Sequence, residues 1–262
     1  MDIISFDSTE KCGGTSIKSF LRKNFIQSQF FDLDNGDPPT ETIRNYGVEC
    51  SIGFYGKRVG MEFYPEFIEY LSERARWIVQ AKELVNVKCI YGNMIEFTDL
   101  LRSLRSRGFR VFRCKVFRDP VVRVLSEYEY VKQHLGHNLH SVAMSAGSIE
   151  GYITHPDRPK NRQTASVLGC LDPSDCNSAI SKVTTEYHFV GYLDSLEEGL
   201  QRLSIRHNLD ASVVERRNVA KSGNRDQVLT SITDLLSLTD PLDVQLYESL
   251  RESYYPFKIM DS

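Results

Sequence analysis

The chain has 262 residues, 41% hydrophobic and 11% aromatic, so it can bury a substantial core and lacks the composition of a disordered protein. Its 32 basic and 35 acidic residues leave a formal charge of −3, which excludes nonspecific binding of nucleic acid or an anionic membrane through a global field. No apolar run approaches the roughly eighteen residues of a membrane span, and the N-terminus lacks the regions of a secretion signal. We therefore expect a soluble, cytoplasmic protein that binds anions only through local clusters of residues.

Candidate strands and helices alternate along the sequence. An apolar run predicts a strand at 3–6, a polar turn with two glycines follows, and apolar residues at helical spacing predict a helix at 15–25. The same patterns predict further strands at 30–33, 87–91, 109–117 and 188–192, and further helices at 65–78, 98–107, 120–134, 164–168, 173–184, 195–207 and 242–253. This alternation predicts an α/β fold, a single domain over 1–262 whose mainly parallel sheet is covered by helices on both faces.

Five stretches lack a clear hydrophobic period. The run at 35–41 is typical of a loop, and 46–64 is rich in glycine and aromatic residues, which indicates irregular or hairpin structure. Loops are predicted at 136–148 and 154–161, with one short helix between them. The basic run at 216–226 predicts a flexible loop before the last helix.

The six cysteines form no C-x-x-C pair and stand at positions 12, 50, 89, 114, 170 and 176. Cys50, Cys89 and Cys114 lie in apolar or strand-like contexts, where reduced cysteine acts as a small hydrophobic side chain. This spacing indicates free thiols in a reducing compartment rather than a structural zinc site. Cys170 and Cys176 are close enough in sequence to cross-link under oxidation if the loop geometry permits.

The first motif that indicates chemistry lies between the first predicted strand and the first predicted helix. Its glycines let the backbone approach an anion, the helix N-terminus offers unpaired N–H groups, and a lysine supplies charge. The motif therefore predicts a phosphate or sulfate site, with a capped turn and an incidental lysine as the alternative. It differs from the nucleotide-triphosphatase pattern G-x-x-x-x-G-K-[ST], because its lysine precedes its glycines. It reads Glu10-Lys11-Cys12-Gly13-Gly14-Thr15-Ser16.

The second motif runs over 117–126, from the end of a predicted strand into a helix that Asp119 and Pro120 begin. Arg118 leaves the sheet at its carboxyl edge, where open α/β sheets bind ligands, and Ser126 lies about two turns along the helix. Both side chains can therefore meet one phosphate. Alternatively, Arg118 pairs with Asp119 or another carboxylate, and Ser126 is a surface hydroxyl.

Together the motifs resemble the sulfotransferases that use 3′-phosphoadenosine-5′-phosphosulfate (PAPS), in particular the branch of the heparan sulfate 2-O- and 6-O-sulfotransferases. Residues 11–16 resemble the family's 5′-phosphosulfate loop K-T-G-G-T-S, and Arg118-Asp119-Pro120 with Ser126 resembles its 3′-phosphate strand and helix. The resemblance continues through 161–164, 188–192, 196–198 and 242–247, and covers nearly the whole chain except 35–85.

The resemblance implies a P-loop-like sulfotransferase fold and in-line transfer of a sulfuryl group from PAPS to an acceptor hydroxyl or amine. The product nucleotide would be 3′-phosphoadenosine-5′-phosphate (PAP), and no metal is implied. Lys11 would neutralise the leaving oxygen, in chemistry that rests on positioning and charge stabilisation. The residues implied to bind the nucleotide are Lys11, Cys12, Gly13, Gly14, Thr15, Ser16, Arg118 and Ser126.

A lid and an acceptor pocket are also implied by the resemblance. The run at 221–225 resembles the family's mobile segment that closes over the nucleotide, and would bring Lys221, Ser222 or Arg225 to the 3′-phosphate. A solvated basic turn is the alternative. The acceptor would be a small molecule, saccharide or lipid held by 35–85 and 134–160, and no nucleic acid partner is implied.

The general base departs from the family pattern. The glycan-sulfating relatives carry H-G-H at the position where this sequence has Tyr91-Gly92-Asn93, and neither Tyr91 nor Asn93 readily accepts a proton at neutral pH. The base is therefore unassigned, and a catalytically silent nucleotide-binding module is an alternative function. A P-loop-like kinase is disfavoured by the missing G-K-[ST] and the lack of a convincing aspartate for magnesium. Other candidate bases are His134, His137, His140, Asp32 and Asp34.

Overall fold

The computed structural model describes residues 2–33, 64–93, 95–137, 139–213 and 225–260. Its centre is a six-stranded sheet formed by β1 (Asp2–Ser8), β2 (Phe30–Asp32), β3 (Cys89–Asn93), β4 (Arg110–Phe117), β5 (Phe189–Tyr192) and β6 (Phe257–Ile259). The spatial order is β2-β3-β1-β4-β5-β6. Neighbouring strands from β2 to β5 are parallel, and β6 is antiparallel to β5.

Helices connect the strands and extend the fold beyond the sheet. Those in the described ranges are α1 (Gly14–Asn24), α2 (Tyr64–Gln80), α3 (Leu100–Ser106), α4 (Pro120–Gln133), α5 (His140–Ala146), α6 (Ile149–Thr154), α7 (Arg162–Leu168), α8 (Cys176–Glu186), α9 (Leu196–His207), α10 (Arg225–Thr239) and α11 (Pro241–Tyr254). Short 3-10 helices lie at Lys82–Asn86, Ile95–Phe97, Leu193–Ser195 and Ala211–Val213. None of the described helices has the length and apolar character that a bilayer crossing requires.

Helices cover both faces of the sheet, and successive side chains of its strands point to opposite faces. Phe6 of β1 packs with α1 and α9 on one face, while Ile3 of the same strand packs with α2 and α3 on the other. Val190 of β5 contributes to a third cluster with α8 and α11. A fourth cluster joins α4, α5, α6 and α10 beside the sheet. The predicted α/β fold, a mainly parallel sheet flanked by helices, is therefore confirmed.

Most predicted elements are present with shifted ends, but three stretches differ. The predicted loop at 136–148 contains α5, whose Val142 and Ala143 pack into the fourth cluster. The last two residues of the predicted loop at 216–226 begin α10, which was not predicted, and β6 was also not predicted. Residues 35–63 and 214–224 lie outside the described ranges.

The topology places one crevice between β1 and β4. From β1 the chain moves toward β2 on one side of the sheet, whereas from β4 it moves toward β5 on the other side. Ligands of open α/β sheets bind at such a switch point, outside the carboxyl ends of the strands. The two sequence motifs follow β1 and β4 and therefore meet at this crevice.

Candidate functional site

The loop after β1 is a tight turn that ends at the N-terminus of α1. Lys11 and Gly13 have positive φ angles of 65° and 87°, and the Cys12 N–H donates to the Thr9 carbonyl over 3.1 Å. Gly13 is the N-cap residue and has no side chain to cap the helix. The first helical bond runs from the Ile17 N–H to the Gly13 carbonyl, so the N–H groups of the preceding turn have no acceptor within the helix. Such a turn attracts an anion.

Position 14 has to be a glycine because its neighbours leave no room for a side chain, not because of its backbone angles. A Cβ at this position would lie 2.5 Å from the Tyr91 hydroxyl and 3.1 Å from Ser8 Oγ, so a larger residue would push the loop from β3. Tyr91 is 3% exposed, and its ring centroid lies 4.7 Å from Lys18 Nζ. Tyr91 therefore forms the floor under the loop.

Gln163 of α7 joins the two motifs. Its side-chain amide forms two hydrogen bonds with the backbone of Arg118: the Arg118 N–H donates to Oε1 over 3.0 Å, and Nε2 donates to the Arg118 carbonyl over 2.9 Å. The Cys12 thiol also donates to Gln163 Oε1, over 3.4 Å. The Arg118 guanidinium donates to the Lys11 carbonyl over 2.8 Å. Arg118 thereby fixes the loop after β1, and Asp119 instead caps α4 through the Val122 N–H.

A cavity of about 970 Å³ opens at this crevice, and most of the predicted site residues line it. Cys12 is an exception, because its side chain is 1% exposed and turned into the protein. Burial raises the pKa of the Cys12 thiol to about 11, which keeps it neutral. Lys221, Ser222 and the side chain of Arg225 lie outside the described part of the structure. The predicted residues on the cavity wall are Lys11, Gly13, Gly14, Thr15, Ser16, Tyr91, Asn93, Arg118 and Ser126.

The charge of Lys11 lies against an aromatic ring in this cavity. Its Nζ is 3.0 Å from the ring centroid of Tyr130, a cation–π contact. Burial lowers the pKa of Lys11 to about 8; Glu10 and Glu127 oppose the shift, and Arg118 adds to it. A substantial fraction of this lysine is therefore neutral near pH 8, until an anion arrives beside it.

One face of α4 supplies a wall of the same cavity. Ser126, Tyr130 and His134 follow at intervals of four residues, which places them on one side of a helix, and all three line the cavity. The sequence motifs do not predict Tyr130 as a site residue, although its spacing of four residues from Ser126 on a predicted helix is a signal that could identify it.

A chain of charged side chains runs from Glu10 in the loop to buried residues of α7 and α4. Arg162 donates to Glu10 over 2.7 Å and lies 3.8 Å from Glu127, which in turn lies 3.5 Å from Arg123. Arg123 and Glu127 are almost fully buried. Burial alone would raise the pKa of Glu10, but the charges of Arg162 and its neighbours hold it below the usual range. Glu10 is therefore ionised at neutral pH.

The other candidate bases within the described ranges take part in hydrogen bonds or ion pairs within the protein. The neutral His137 accepts the Leu139 N–H at Nδ1 over 3.1 Å, and burial lowers its pKa. His134 donates from Nδ1 to the Tyr130 carbonyl over 2.6 Å, whereas His140 donates to the Val131 carbonyl over 2.9 Å and does not line the cavity. Asp32 is 2% exposed and pairs with Lys18 and Arg22. Asp34 lies outside the described ranges.

A second cavity, of about 370 Å³, adjoins the first. Its wall includes 156 and 158–160, so it uses part of the predicted acceptor stretch 134–160. The two cavities share Ser8, Thr9, Glu10 and Asn93.

The sequence matches no protein-family model and no curated protein. Within the described ranges, no group of three or more His, Cys, Asp or Glu side chains is placed to hold a metal ion. The two cavities and the residues that line them are therefore the features of this protein that indicate a function.

Proposed function

We propose that this protein is a PAPS-dependent sulfotransferase with a P-loop-like fold. The observation that carries the proposal is the convergence of two separate anion-binding motifs on one cavity. The loop and helix after β1 contribute Lys11 and the first turn of α1, and the strand and helix after β4 contribute Arg118 and Ser126. The cavity volume of about 970 Å³ suits a nucleotide.

The two motifs offer two anion positions on different strand–helix units. A helix N-terminus with a lysine binds one phosphate, and an arginine with a hydroxyl binds another. This arrangement suits a nucleotide with phosphates at its 5′ and 3′ positions, such as PAP, better than a continuous triphosphate chain.

In the proposed reaction, Lys11 stabilises the charge that develops on the leaving phosphate oxygen, which is an electrostatic contribution to catalysis. The second cavity would receive the acceptor, a small molecule, saccharide or lipid with a hydroxyl or amine. The shared wall at Glu10 and Asn93 would then lie where donor and acceptor meet.

A catalytically silent nucleotide-binding module is the second candidate function. It is favoured by one observation: Tyr91 and Asn93 occupy the positions at which the resembled family carries histidine. Tyr91 packs under the phosphate loop, and Asn93 lines both cavities without being a base. Both candidates require nucleotide binding, and only the first requires sulfuryl transfer.

The donor site is tested by comparing PAP with adenosine 5′-monophosphate, which lacks the 3′-phosphate. We expect PAP to raise the melting temperature clearly more, because Arg118 and Ser126 would contact the 3′-phosphate. A charge-assisted contact from arginine is worth roughly 1.5–3 kcal/mol, so Arg118→Ala should weaken PAP binding about ten- to a hundredfold in calorimetry.

Arg107→Ala is the matched control, because Arg107 is exposed at the end of α3 and lines neither cavity. It should bind PAP like the wild type. Equal stabilisation by the two nucleotides would contradict the proposed function.

A further inference from the structure

The two cavities meet at a small shared wall. Among the described residues, four line both cavities, namely Ser8, Thr9, Glu10 and Asn93. If the larger cavity holds the donor and the smaller one the acceptor, as the proposed function requires, the transferred group crosses at this wall. A base that accepts the acceptor's proton must then reach this point.

Glu10 is the one Brønsted base at neutral pH among these four residues, since hydroxyls and an amide do not accept a proton there. Its Oε2 accepts a hydrogen bond from Arg162 Nη2 over 2.7 Å. The bond from Arg162 occupies Oε2 rather than Oε1, and the Glu10 side chain is 43% exposed. Arg162 therefore holds one carboxylate oxygen of a side chain that lines both cavities.

A second polar group at this wall has no hydrogen-bond partner among the residues that the structure describes. It is the Oγ1 hydroxyl of Thr9, a residue that is 5% exposed. Burying such a hydroxyl is unfavourable unless a ligand or water satisfies it. Thr9 is adjacent to Glu10 in the chain, and both residues line the two cavities.

We propose that Glu10 is the general base of sulfuryl transfer. The acceptor hydroxyl oxygen forms a bond to the donor's sulfur, and the bond between that sulfur and the bridging 5′-phosphate oxygen breaks. The electron pair of the broken bond stays on the phosphate oxygen, beside Lys11. The hydroxyl proton moves to Glu10 Oε1. The products are a sulfate monoester, PAP and a protonated Glu10, which returns its proton to solvent.

The surroundings of Glu10 set its protonation. The charged and titratable groups that face it come from three places: α7, α4 with the segment after it, and the loop itself. Their net effect keeps Glu10 ionised in the resting enzyme. A carboxylate with a low pKa still accepts this proton, because the hydroxyl becomes strongly acidic as its bond to sulfur forms. These groups are Arg162, His137, Arg123 and Lys11.

Other bases fit this position less well. His137 uses Nδ1 to accept the Leu139 N–H, so its proton lies on Nε2 when the ring is neutral. His134 lines the larger cavity but not the smaller one. Neither histidine belongs to the shared wall.

The test compares the wild type with Glu10→Gln, Glu10→Asp and the control Glu129→Gln, since Glu129 is exposed on α4 and lines neither cavity. Two measurements are made on each protein: PAP affinity by calorimetry, and transfer of sulfur-35 label from PAPS to water and to a panel of monosaccharides and phenols from acid to neutral pH.

We expect Glu10→Gln to bind PAP as tightly as the wild type or more tightly, because a negative charge beside the phosphates is removed. Its transfer rate should fall about a hundredfold or more, the range that a general base contributes. The wild-type rate should rise with pH on the acid side as Glu10 ionises. That rise should vanish in Glu10→Gln and persist, at a lower rate, in Glu10→Asp.

A Glu10→Gln rate within about threefold of the wild type, or an unchanged acid limb, overturns the proposal. Wild-type protein that binds PAP but transfers no label also overturns it, because no transfer step then exists for Glu10 to serve. Failure of the wild type to bind PAP is seen in calorimetry alone. That result would contradict the proposed function, and it would also contradict the assignment of Glu10 as the general base.

Discussion

Lys11 has a backbone conformation that most residues avoid. Its φ of 65° lies in the left-handed region, which costs a residue with a side chain roughly 1–3 kcal/mol. The hydrogen bond from Arg118 to its carbonyl and the contact of its ammonium with Tyr130 hold it in place. Strain of this kind concentrates at functional sites, which agrees with a role for Lys11 at the phosphate.

The lowered pKa of Lys11 predicts that the protein takes up a proton when it binds PAP. Its pKa is lowered to about 8 by burial, and a phosphate beside the ammonium would raise that pKa. Above about pH 8, PAP binding should therefore take up close to one proton, and PAP affinity should fall as the pH rises further. The measurement is binding calorimetry near pH 8.5 in two buffers of different ionisation enthalpy, where phosphates are already fully ionised.

Lys11→Met should abolish the dependence of the binding heat on the buffer. Lys132→Met is the control, because Lys132 is exposed on α4 and lines neither cavity. Identical buffer dependence in the wild type and Lys11→Met would show that Lys11 is not the group that takes up the proton.

At the scale of single residues, the sequence predicts several of the residues that line the cavity but not the hydrogen bonds that position them. Lys11, Arg118 and Ser126 could be found because each follows a strand end or lies on the next helix. The link through Gln163 depends on how α7 packs between the two loops, and no local pattern shows it. The inward turn of Cys12 likewise follows from tertiary packing.

At the scale of elements, α7 shows how a short helix is fixed by its neighbours. It has seven residues, too few to be stable alone, and its N-cap Asn161 makes no capping bond within the helix. Instead, Asp243 of α11 accepts the N–H groups of Gln163 and Thr164 over 3.1 and 2.8 Å. Asp243 thus caps α7 from another helix and places Gln163 against Arg118.

Gln163→Leu tests this arrangement. The variant keeps a similar volume but leaves the Arg118 N–H and carbonyl without their partner, and each unsatisfied group costs about 1–3 kcal/mol. We expect a loss of about 2–4 kcal/mol of unfolding free energy in urea, together with weaker PAP binding because Arg118 is no longer held. Gln201→Leu, at an exposed position of α9, is the control. Equal stability and affinity in the two variants would contradict the role given to Gln163.

The long elements were predictable because their hydrophobic periods are strong, whereas the short ones were not. The helix at 120–134 carried both a cap and a period, and it appears as Pro120–Gln133. The strand Phe257–Ile259 has three residues, too few for a period, and it forms because β5 offers an open edge. Helix α5 has seven residues, of which Val142 and Ala143 are buried while the apolar Met144 is exposed, so it shows no clear hydrophobic period.

At the scale of the whole molecule, the face of the sheet opposite α1 carries a buried polar layer. Asp7 of β1 and Lys115 of β4 are register partners, and their side chains pair over 2.5 Å. Lys115 also donates to Ser166, and the Tyr187 hydroxyl donates to Asp7. All of these groups are nearly inaccessible to solvent. Only Ser8 separates Asp7 from the loop after β1, so the layer links the position of that loop to the packing of the sheet.

Lys115→Met should therefore destabilise the whole fold. Removing one partner of a buried ion pair leaves the other as an uncompensated charge, which costs about 3–5 kcal/mol. The double variant Asp7→Asn with Lys115→Met carries no such charge, and its amide oxygen still accepts the Tyr187 hydroxyl, so it should lose less than half as much. Lys88→Met is the control, since Lys88 is exposed, and it should stay within about 0.5 kcal/mol of the wild type. The measurement is urea unfolding followed by far-UV circular dichroism. A single variant as stable as the control, or a double variant less stable than the single one, would show that the ion pair does not hold the sheet together.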